Sequence, residues 1–546
     1  MRRTIINIFW LFSFLTIAAC TKPSDQDGKK VFNINLDQNV TSLDPAFARN
    51  QNAIWMINQI FNGLVQVDST LNTVPCIAKT WQISEDRLTY TFNLRDDVFF
   101  QDDALFKDGK GRKVVAQDFA YSFYRLIDPK VASSGGWIFS DKVKDEESFK
   151  ALNDSTFQIT LVKPFPAFMK LLTAQYCSVV PKEVVEHYGK DFRSHPVGTG
   201  PFKFKYWKED EILVLLKNEN YWEKKDGVQL PHLDAVKVTF ISDKQSAFMN
   251  FIKKDLDFFT SVDGSYRDDI LTKSGKMTKK YEGKFQLIKS PYLCTEYVGI
   301  LVDPSKDLVK NSPLKHKKIR QAINYAIDRK KLIKYLRNSI GTPATNGFIP
   351  KGMPGFDSVK VKGYDYNPNL SNKLLAEAGF PNGKGMPEVT LSTTTTYKDL
   401  IEFIQGELAA IGMKVKVDVS PSASLRDMIS KNEVNFFRGS WIADYPDGEN
   451  YLSVFYSKNR VPFGPNYTGY FNDEFDRLFE QSYYEKDDKK RFELYHKMDN
   501  MVMEHSSVVP ILYDQGVVML QNNVSGYSNN ALNLMILKTV KKFDTP

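Results

Sequence analysis

The stretch IRQAINYAIDR (Ile319–Arg329) opens a segment whose apolar positions recur with the period of an α-helix. Apolar residues stand at positions 319, 323, 326, 327 and 332, so one side of a helix would be continuously apolar. The spacing predicts one amphipathic helix over Ile319–Tyr335. Such a helix needs a sheet or other helices to cover its apolar side, so the rest of the chain must supply that layer.

Short strands are predicted on both sides of this helix along the chain. Alternating apolar and polar residues are typical of half-buried strands, and they occur at Val31–Leu36, Leu88–Leu94, Thr156–Leu161, Val236–Phe240 and Val415–Val419. Further helices are predicted over Val115–Leu126 and over Asp399–Ile411, the latter closed by Gly412 as a C-cap. Strands and helices mixed in this way over 546 residues indicate α/β architecture with two to four domains.

Composition narrows the class of function. Hydrophobic residues make up 42% of the chain and charged residues 25%, as in soluble globular proteins with full cores. The net charge of +8 is interspersed, and there is no zinc or RNA-binding motif, so nucleic acid is not expected as a partner. The chain has 6 His and lacks His-Glu-x-x-His, Gly-x-Ser-x-Gly and a phosphate loop, which favours a binding protein over an enzyme.

The N-terminus has the pattern of an export signal. Two arginines precede the apolar stretch Ile5–Ala19, which is shorter than the roughly 20 residues that span a bilayer. Small residues before Cys20 fit a signal peptidase and predict a signal peptide over residues 1–19. The cysteine directly after them resembles a bacterial lipobox, which implies lipidation of Cys20 and a polar tether over residues 20–30. The alternative is an ordinary secretory signal with a coincidental cysteine.

Ten short segments follow one another in a fixed order along the chain. They are Ser42–Pro45, Leu88–Arg95, Asp108–Gly109, Val115–Phe123, Gly198–Phe202, Asn220–Trp222, Pro291–Thr295, Ile319–Arg329, Leu374–Gly379 and Trp441–Pro446. Each segment is weakly specific alone, but their order and spacing cover nearly the whole mature chain. Taken together they resemble the family 5 (cluster C) extracytoplasmic solute-binding proteins of peptide ABC importers, in particular its oligopeptide- and dipeptide-binding members.

The resemblance implies a fold as well as a function. The expected fold is an α/β clamp of the periplasmic-binding-protein type II, with two ligand-binding lobes plus an extra lobe. Lobe I would comprise residues 31–51, 190–293 and 510–546, lobe II residues 52–189, and lobe III residues 294–509. Lobes I and III would close over the ligand by a hinge motion.

The function implied is capture of peptides in the bacterial cell envelope, on the periplasmic side, and delivery to the permease subunits of an ABC importer. The resemblance implies a monomer that needs no cofactor and no metal. Relatives of the same fold bind nickel complexes, haem, opines or oligosaccharides, and these ligands stay open as alternatives, as does an envelope enzyme.

A peptide trap needs an acid for the ammonium end and a cation for the carboxylate end, because a lone buried charge is costly. Asp444 matches the family aspartate that pairs with the amino end of the ligand; the alternative is a turn former. Arg438 falls at the family position that binds the carboxylate of some peptide lengths, and its guanidinium suits bidentate pairing. The alternative for Arg438 is a structural ion pair.

The peptide backbone can be bound by strand-like main-chain pairing. Ser440 and Ile442 would offer main-chain groups from one wall of the site. Asn39, Val40 and Thr41 would do so from the opposite wall. The oligopeptide-binding members have an acid where Asn39 stands, so this wall has one charge fewer here.

Two aromatic residues are expected at the ligand. Trp441 would line a side-chain pocket, and Tyr121 matches a family tyrosine that touches the ligand. Packing into a core is the alternative for both. The run Pro446–Gly448 departs from the oligopeptide pattern towards relatives that bind dipeptides or other small solutes.

Beyond Cys20, the cysteines are Cys76, Cys177 and Cys294, so at least one thiol must be unpaired. The family disulfide would join Cys294 to the residue after Trp441. That residue is Ile442, so this disulfide cannot form and packing must hold this edge of lobe III.

Overall fold

The computed structural model describes residues 28–260, 262 and 264–544. The predicted signal peptide, Cys20 and most of the predicted tether lie outside the described residues. Within them the chain is a mixed α/β structure built around one large sheet, so the predicted α/β class is confirmed. No helix in this part of the chain is both long enough and apolar enough to cross a membrane.

The strands of the described residues are short, with two exceptions. In chain order they are β1 (Val31–Asn35), β2 (Val65–Val67), β3 (Thr73–Pro75), β4 (Ala78–Ile83), β5 (Thr89–Leu94), β6 (Phe149–Asn153), β7 (Thr156–Thr160), β8 (Phe202–Lys208), β9 (Ile212–Lys217), β10 (Lys224–Lys225), β11 (Val228–Gln229), β12 (Ala235–Thr239), β13 (Phe258–Phe259), β14 (Phe285–Ile300), β15 (Thr342–Pro343), β16 (Val389–Thr393), β17 (Val415–Val419), β18 (Phe436–Ile442), β19 (Val508–Gln521), β20 (Val524–Ser525) and β21 (Lys541–Lys542). The exceptions, β14 and β19, are 16 and 14 residues long.

The α-helices are interspersed with these strands, as the sequence predicts. They are α1 (Gln51–Ile60), α2 (Ala116–Ile127), α3 (Phe168–Leu171), α4 (Lys182–Tyr188), α5 (Lys244–Ile252), α6 (Gly264–Ile270), α7 (Asp307–Lys310), α8 (Lys317–Ala326), α9 (Arg329–Arg337), α10 (Pro368–Glu377), α11 (Lys398–Ala409), α12 (Ser422–Ser430), α13 (Glu449–Leu452), α14 (Asp473–Tyr484) and α15 (Asp488–His505).

The large sheet has the strand order β17-β16-β18-β14-β19-β13-β1-β12-β9-β8, with β15 added beside β19. The long strands β14 and β19 pair antiparallel at its centre and join its two halves. Their register shifts between Pro291 and Thr295 and again between Glu296 and Tyr297. Such irregularities bend and twist a strand pair, so the two halves of the sheet meet at a bend.

A separate antiparallel sheet with the order β4-β5-β7-β6 is formed by residues 78–160. Helix α2 packs on it and buries Phe119 and Phe123 against Phe157. The alternating strands predicted at Leu88–Leu94 and Thr156–Leu161 are confirmed as its central pair. This sheet and α2 carry the loop 128–140, which reaches the candidate site below.

The prediction of one continuous helix over Ile319–Tyr335 is wrong. The chain forms α8 and α9, and Ile327 between them is extended (φ −94°, ψ 116°). Asp328 caps α9 by accepting a hydrogen bond from the Lys331 amide. The buried Arg329 guanidinium donates to the carbonyl oxygens of Asn324 and Pro510, at 2.9 and 2.7 Å. The break is therefore fixed by β19, 181 residues away, while the apolar period continues through it.

Candidate functional site

Strand β18 presents main-chain groups on a free edge. It pairs antiparallel with β14 along its whole length, from Phe436 to Ile442. On the other side β16 pairs with it only at Phe437. The strand is longer than the apolar run Val434–Phe437 suggests, so Ser440, Trp441 and Ile442 lie inside it and not after it. Ser440 is half-buried and Ile442 is 48% exposed.

The loop after β18 holds Asp444 through a single side chain. The Asn450 amide donates to Asp444 Oδ2 at 3.4 Å, and Asn450 Oδ1 accepts from the Asp444 main-chain N–H at 3.3 Å. The same oxygen accepts a hydrogen bond from Trp441 Nε1 at 3.0 Å. Asn450 lies at the start of α13 and is buried. It therefore fixes both Asp444 and Trp441, two residues expected at the ligand.

Asp444 is exposed to solvent, yet its carboxylate is poorly solvated. No Lys, Arg or His of the described residues lies within 4.0 Å of it. Desolvation by the surrounding protein raises the pKa of Asp444, and the Asn450 hydrogen bond lowers it only in part. The carboxylate is therefore exposed to a ligand, and no cation of the described residues compensates it.

Asp447, three residues further on, is the opposite case. It is fully buried and lies 3.2 Å from Lys170 Nζ and 3.2 Å from Arg491 Nη2. Although burial opposes ionisation, Lys170 and Arg491 hold the pKa of Asp447 below its ordinary value. Tyr495 also donates to it at 2.9 Å. Asp447 is therefore a structural charge with its partners in place, whereas Asp444 has none.

The residues around Asp447 also join two parts of the chain that are distant in sequence. Lys170, at the end of α3, donates to the Pro446 carbonyl oxygen at 2.8 Å as well as reaching Asp447. The Phe165 ring packs edge-on against Tyr445 and Tyr483, with centroids 6.1 and 5.6 Å apart. Residues 165–170 are therefore held against the 445–447 loop directly after Asp444.

Tyr176 is half-buried and is influenced by both Asp444 and Arg49. Burial, together with the Asp444 carboxylate, raises the pKa of Tyr176 above its ordinary value, and the hydrogen bond with Ser134 and the charge of Arg49 offset this only in part. Its hydroxyl lies 3.4 Å from Ser134 Oγ. A Cβ at Gly135 would overlap the Tyr176 ring, so glycine is required there for the ring to occupy this place.

The predicted opposite wall, Asn39–Thr41, follows β1 as an extended segment outside any sheet. The main-chain N–H groups of Asn39, Val40 and Thr41 donate to no other described residue. The Asn39 side-chain oxygen is shielded from solvent and also has no partner among them. The Val40 side chain is buried in the core, which leaves the main chain as the part that can contact a ligand.

Thr41 and Tyr121 line one groove of about 1550 Å³, together with Arg49 and Ser134. Burial raises the pKa of Tyr121 to about 12, so its hydroxyl stays protonated. The structure thus places the predicted site residues in two groups, one on β18 and its loop and one along this groove. Tyr176 is related to both groups, because its hydroxyl lies 3.4 Å from Ser134 Oγ of the groove and Asp444 raises its pKa.

The C-terminal segment connects these two groups. The carbonyl oxygen of Asn533 accepts hydrogen bonds from Gln51 and Trp55 of α1, at 3.0 and 2.6 Å. Two residues earlier, the Ala531 carbonyl oxygen accepts from the Leu293 N–H, and the Leu293 carbonyl oxygen accepts from the Ala443 N–H. Residues 531–533 therefore span from the start of α1 to the Asp444 loop.

Arg438 is engaged within the protein. Its guanidinium forms an ion pair with Glu296 on the adjacent strand, and both side chains are largely buried. It also lies 3.2 Å from the centroid of the Tyr397 ring. These contacts agree with the structural alternative for Arg438, and its role at a ligand carboxylate stays a prediction.

Cys294, Glu296 and Asp514 bring three potential metal-ligand atoms within 4.8 Å of one another. Glu296 pairs with Arg438, and Asp514 pairs with Arg337. Burial raises the pKa of the Cys294 thiol well above its ordinary value, so the thiolate that binds metals is disfavoured. This is a charge-balanced cluster and not a favourable metal site.

The sequence analysis predicts at least one unpaired thiol and no disulfide between Cys294 and position 442, and the structure agrees with both predictions. Cys76, Cys177 and Cys294 are all buried and free. Cys294 lies directly opposite Ile442 in the β14–β18 pairing, the position that the resemblance assigns to the family disulfide. The edge is held here by packing and main-chain hydrogen bonds.

Sequence reasoning missed Arg49, Tyr176, Asn450 and the Glu296 partner of Arg438. The only local signal was for Asn450, a polar residue at the start of a helix six residues after Asp444. The others depend on cross-strand register and on contacts over more than a hundred residues, which no pattern in one sequence displays.

Asp444→Asn is expected to stabilise the ligand-free protein at neutral pH. Because the folded-state pKa of Asp444 is raised, the wild type loses stability relative to the variant as pH rises from the unfolded-state pKa to the folded-state pKa. Below both values the carboxyl is protonated in both states and the difference should vanish. Denaturant unfolding of both proteins, from about pH 3 to about pH 8, measures it.

Asp37→Asn is the matched control, because Asp37 is exposed and forms no ion pair in the described part of the chain. Removal of this exposed carboxylate should change the free energy of unfolding little, as is usual for exposed residues without partners. An Asp444→Asn variant that is less stable than the wild type at neutral pH would mean that a protein group compensates this carboxylate.

Comparisons with known proteins agree with this architecture. The model of bacterial extracellular solute-binding proteins, family 5, matches residues 72–463. The dipeptide-binding protein DppE of Bacillus subtilis is 28% identical over 539 residues, covering 94% of this chain and 92% of that protein. The glutathione-binding protein GsiB of Escherichia coli is 26% identical over 519 residues, covering 94% of each.

Among solved structures, the ABC transporter-associated periplasmic binding protein DppA from Helicobacter pylori, in complex with peptide STSA, is similar with a TM-score of 0.74. It is 27% identical, and the match covers 94% of this chain and 98% of that one. The predicted type II clamp is confirmed by this likeness. Since the family model matches most of the chain, the protein belongs to family 5 of the bacterial extracellular solute-binding proteins.

Proposed function

We propose that the protein captures short peptides in the cell envelope and delivers them to the permease of an ABC importer. The observation that carries this proposal is Asp444, a desolvated carboxylate that a ligand can reach and that no described cation compensates. A ligand ammonium would supply the missing charge. Named relatives that bind a dipeptide, glutathione or a peptide support the same ligand class.

Main-chain pairing would bind the rest of the peptide. The free edge of β18 offers Ser440 and Ile442, and the segment Asn39–Thr41 offers unpaired N–H groups. Addition of a strand to such an edge gives affinity through the backbone and leaves side chains to pockets. Trp441 and Tyr121 would border those pockets, and the shielded Asn39 oxygen would accept a ligand N–H.

The lobes expected from the resemblance give this site a closing mechanism. The irregular register of β14 and β19 near Pro291–Thr295 lies where lobes I and III would join, so we place the hinge there. The contacts of Lys170 with Pro446 and Asp447 would hold lobe II against lobe III in the closed form. Capture is then a rotation about β14 and β19 that brings the Asn39–Thr41 wall against β18.

The location follows from the family and the N-terminal pattern. We propose that the mature protein is a monomer tethered through a lipid on Cys20 to a membrane of the envelope, on the periplasmic side. Tethering keeps the protein near its permease, because a short linker raises the effective concentration of the two partners.

The ammonium role of Asp444 is tested by a cycle between protein and ligand. Asp444→Asn removes one charge with little change in shape, and N-acetylation removes the ligand ammonium. Each change alone should weaken binding by about 2–5 kcal/mol, because it leaves the other charge unpaired in the cleft. In the variant, acetylation should cost little more, since both changes remove the same interaction.

Calorimetric titration of both proteins with the tripeptide Ala-Ala-Ala and its N-acetyl form gives the four affinities. Asp447→Asn is not a suitable control because Asp447 is buried between cations, so Asp37→Asn serves instead. Equal acetylation penalties in wild type and Asp444→Asn would place the ammonium elsewhere.

The anchor is tested with Cys20→Ser. Without the thiol that carries the lipid, the protein should leave the membrane fraction and appear as a soluble species. One lipid chain gives only marginal binding, so firm retention of the wild type implies more than one chain. Thr21→Ala keeps the cysteine and should stay with the membrane. Retention of Cys20→Ser with a cleaved N-terminus would contradict lipid anchoring.

A further inference from the structure

Arg49 is a second charge without a partner beside the candidate site. It is exposed, lines the groove of Thr41 and Tyr121, and has no carboxylate within 4.0 Å among the described residues. Its side chain donates no hydrogen bond within that part of the chain. An arginine that is free in a concave place offers a bidentate site for a carboxylate.

The main chain that carries Arg49 is fixed on both sides. Before it, Asp44 caps a turn by accepting from the Ala46 N–H, and Asp44 itself is held by the buried Arg125. After it, Asn50 caps α1 by accepting from the Ala53 N–H. The Ala46 carbonyl oxygen accepts a hydrogen bond from Ser133 at 2.6 Å, which ties this turn to the loop next to Tyr176. Arg49 therefore projects from a rigid base.

Hydrogen bonds connect the chain next to Arg49 with the loop of Asp444. Gln51, two residues after Arg49, donates to the Asn533 carbonyl oxygen, the Leu293 N–H donates to that of Ala531, and the Ala443 N–H donates to that of Leu293. Arg49 and Asp444 also have opposite effects on the pKa of Tyr176, while they are not paired with each other. Two opposite charges that are fixed apart in this way can bind the two ends of a zwitterion.

Arg438, the other candidate for a ligand carboxylate, is already neutralised. A ligand would have to displace Glu296, which is 5% exposed, and leave its carboxylate buried and unpaired. Arg49 has no such partner to give up. Binding a ligand carboxylate therefore costs less free energy at Arg49 than at Arg438.

We infer that Arg49 is a specificity-determining residue that binds the C-terminal carboxylate of a short peptide whose ammonium is bound by Asp444. This inference rests on the proposed function and adds the residue that binds the carboxylate end of the ligand. An extended peptide covers about 3.3–3.6 Å per residue, so the peptide length that binds best reports the distance between the two charges.

The test uses alanine peptides of increasing length, from the dipeptide to the hexapeptide, each as the free acid and as the C-terminal amide. Titrations are made with the wild type, Arg49→Gln, Lys130→Gln and the double variant Glu296→Gln/Arg438→Gln. Lys130 lines the same groove and is exposed, so it controls for a general loss of positive charge. The double variant removes the buried ion pair without leaving either charge alone.

Amidation should weaken binding of the preferred short peptide to the wild type at least about tenfold, and should weaken it less than about threefold in Arg49→Gln. Lys130→Gln and the double variant should keep the wild-type penalty. The penalty should be largest at one peptide length and fall for longer peptides, because two fixed charges match one length of an extended chain. Thermal unfolding of Arg49→Gln should match the wild type, because this exposed side chain has no structural partner.

An amidation penalty that persists in Arg49→Gln and vanishes in the double variant would overturn the inference in favour of Arg438. Binding that depends on Asp444 but ignores amidation would also overturn it and leave the proposed function standing. If no peptide of any length binds to the wild type, both the inference about Arg49 and the proposed function fail.

Discussion

The antiparallel pairing of β14 with β19 is the interaction on which the other parts of the molecule depend. These two strands alone run through both halves of the central sheet, and β14 also carries β18 on its outer side. The pairing of β14 with β18 sets Cys294 opposite Ile442 and Glu296 opposite Ser440, which fixes where the free edge of β18 lies. The register of β14 against β19 shifts near Pro291–Thr295, where the two halves of the sheet join.

Charge compensation distinguishes structural residues from binding residues in this cleft. Asp447, Glu296 and Asp44 are buried, and each is paired with an arginine that is itself held in place. Asp444 and Arg49 are exposed and have no ion-pair partner among the residues described. The zwitterionic ligand proposed above would bring both complementary charges.

Much of the fold could be predicted from the sequence because half-buried strands alternate visibly. Val415–Val419 matches β17, and the strands predicted near Val31 and Thr156 differ from β1 and β7 by one residue. The break between α8 and α9 could not be predicted, since the Pro510 carbonyl that binds Arg329 comes from β19. The family resemblance predicts Asp444 as the ammonium partner, but that no described cation pairs with it could be seen only once the surrounding residues were in place. Arg49 and Tyr176 carry no motif, and their relation to Asp444 arises only in three dimensions.

Native mass spectrometry of the protein purified from its own envelope tests most directly whether the unpaired charges are a frame for a zwitterionic peptide. The bound species should be released on unfolding and should be short peptides with free amino and carboxyl ends, because each end is bound by a charged group. A bound metal complex, haem, opine or oligosaccharide would contradict a site built for the two ends of a peptide.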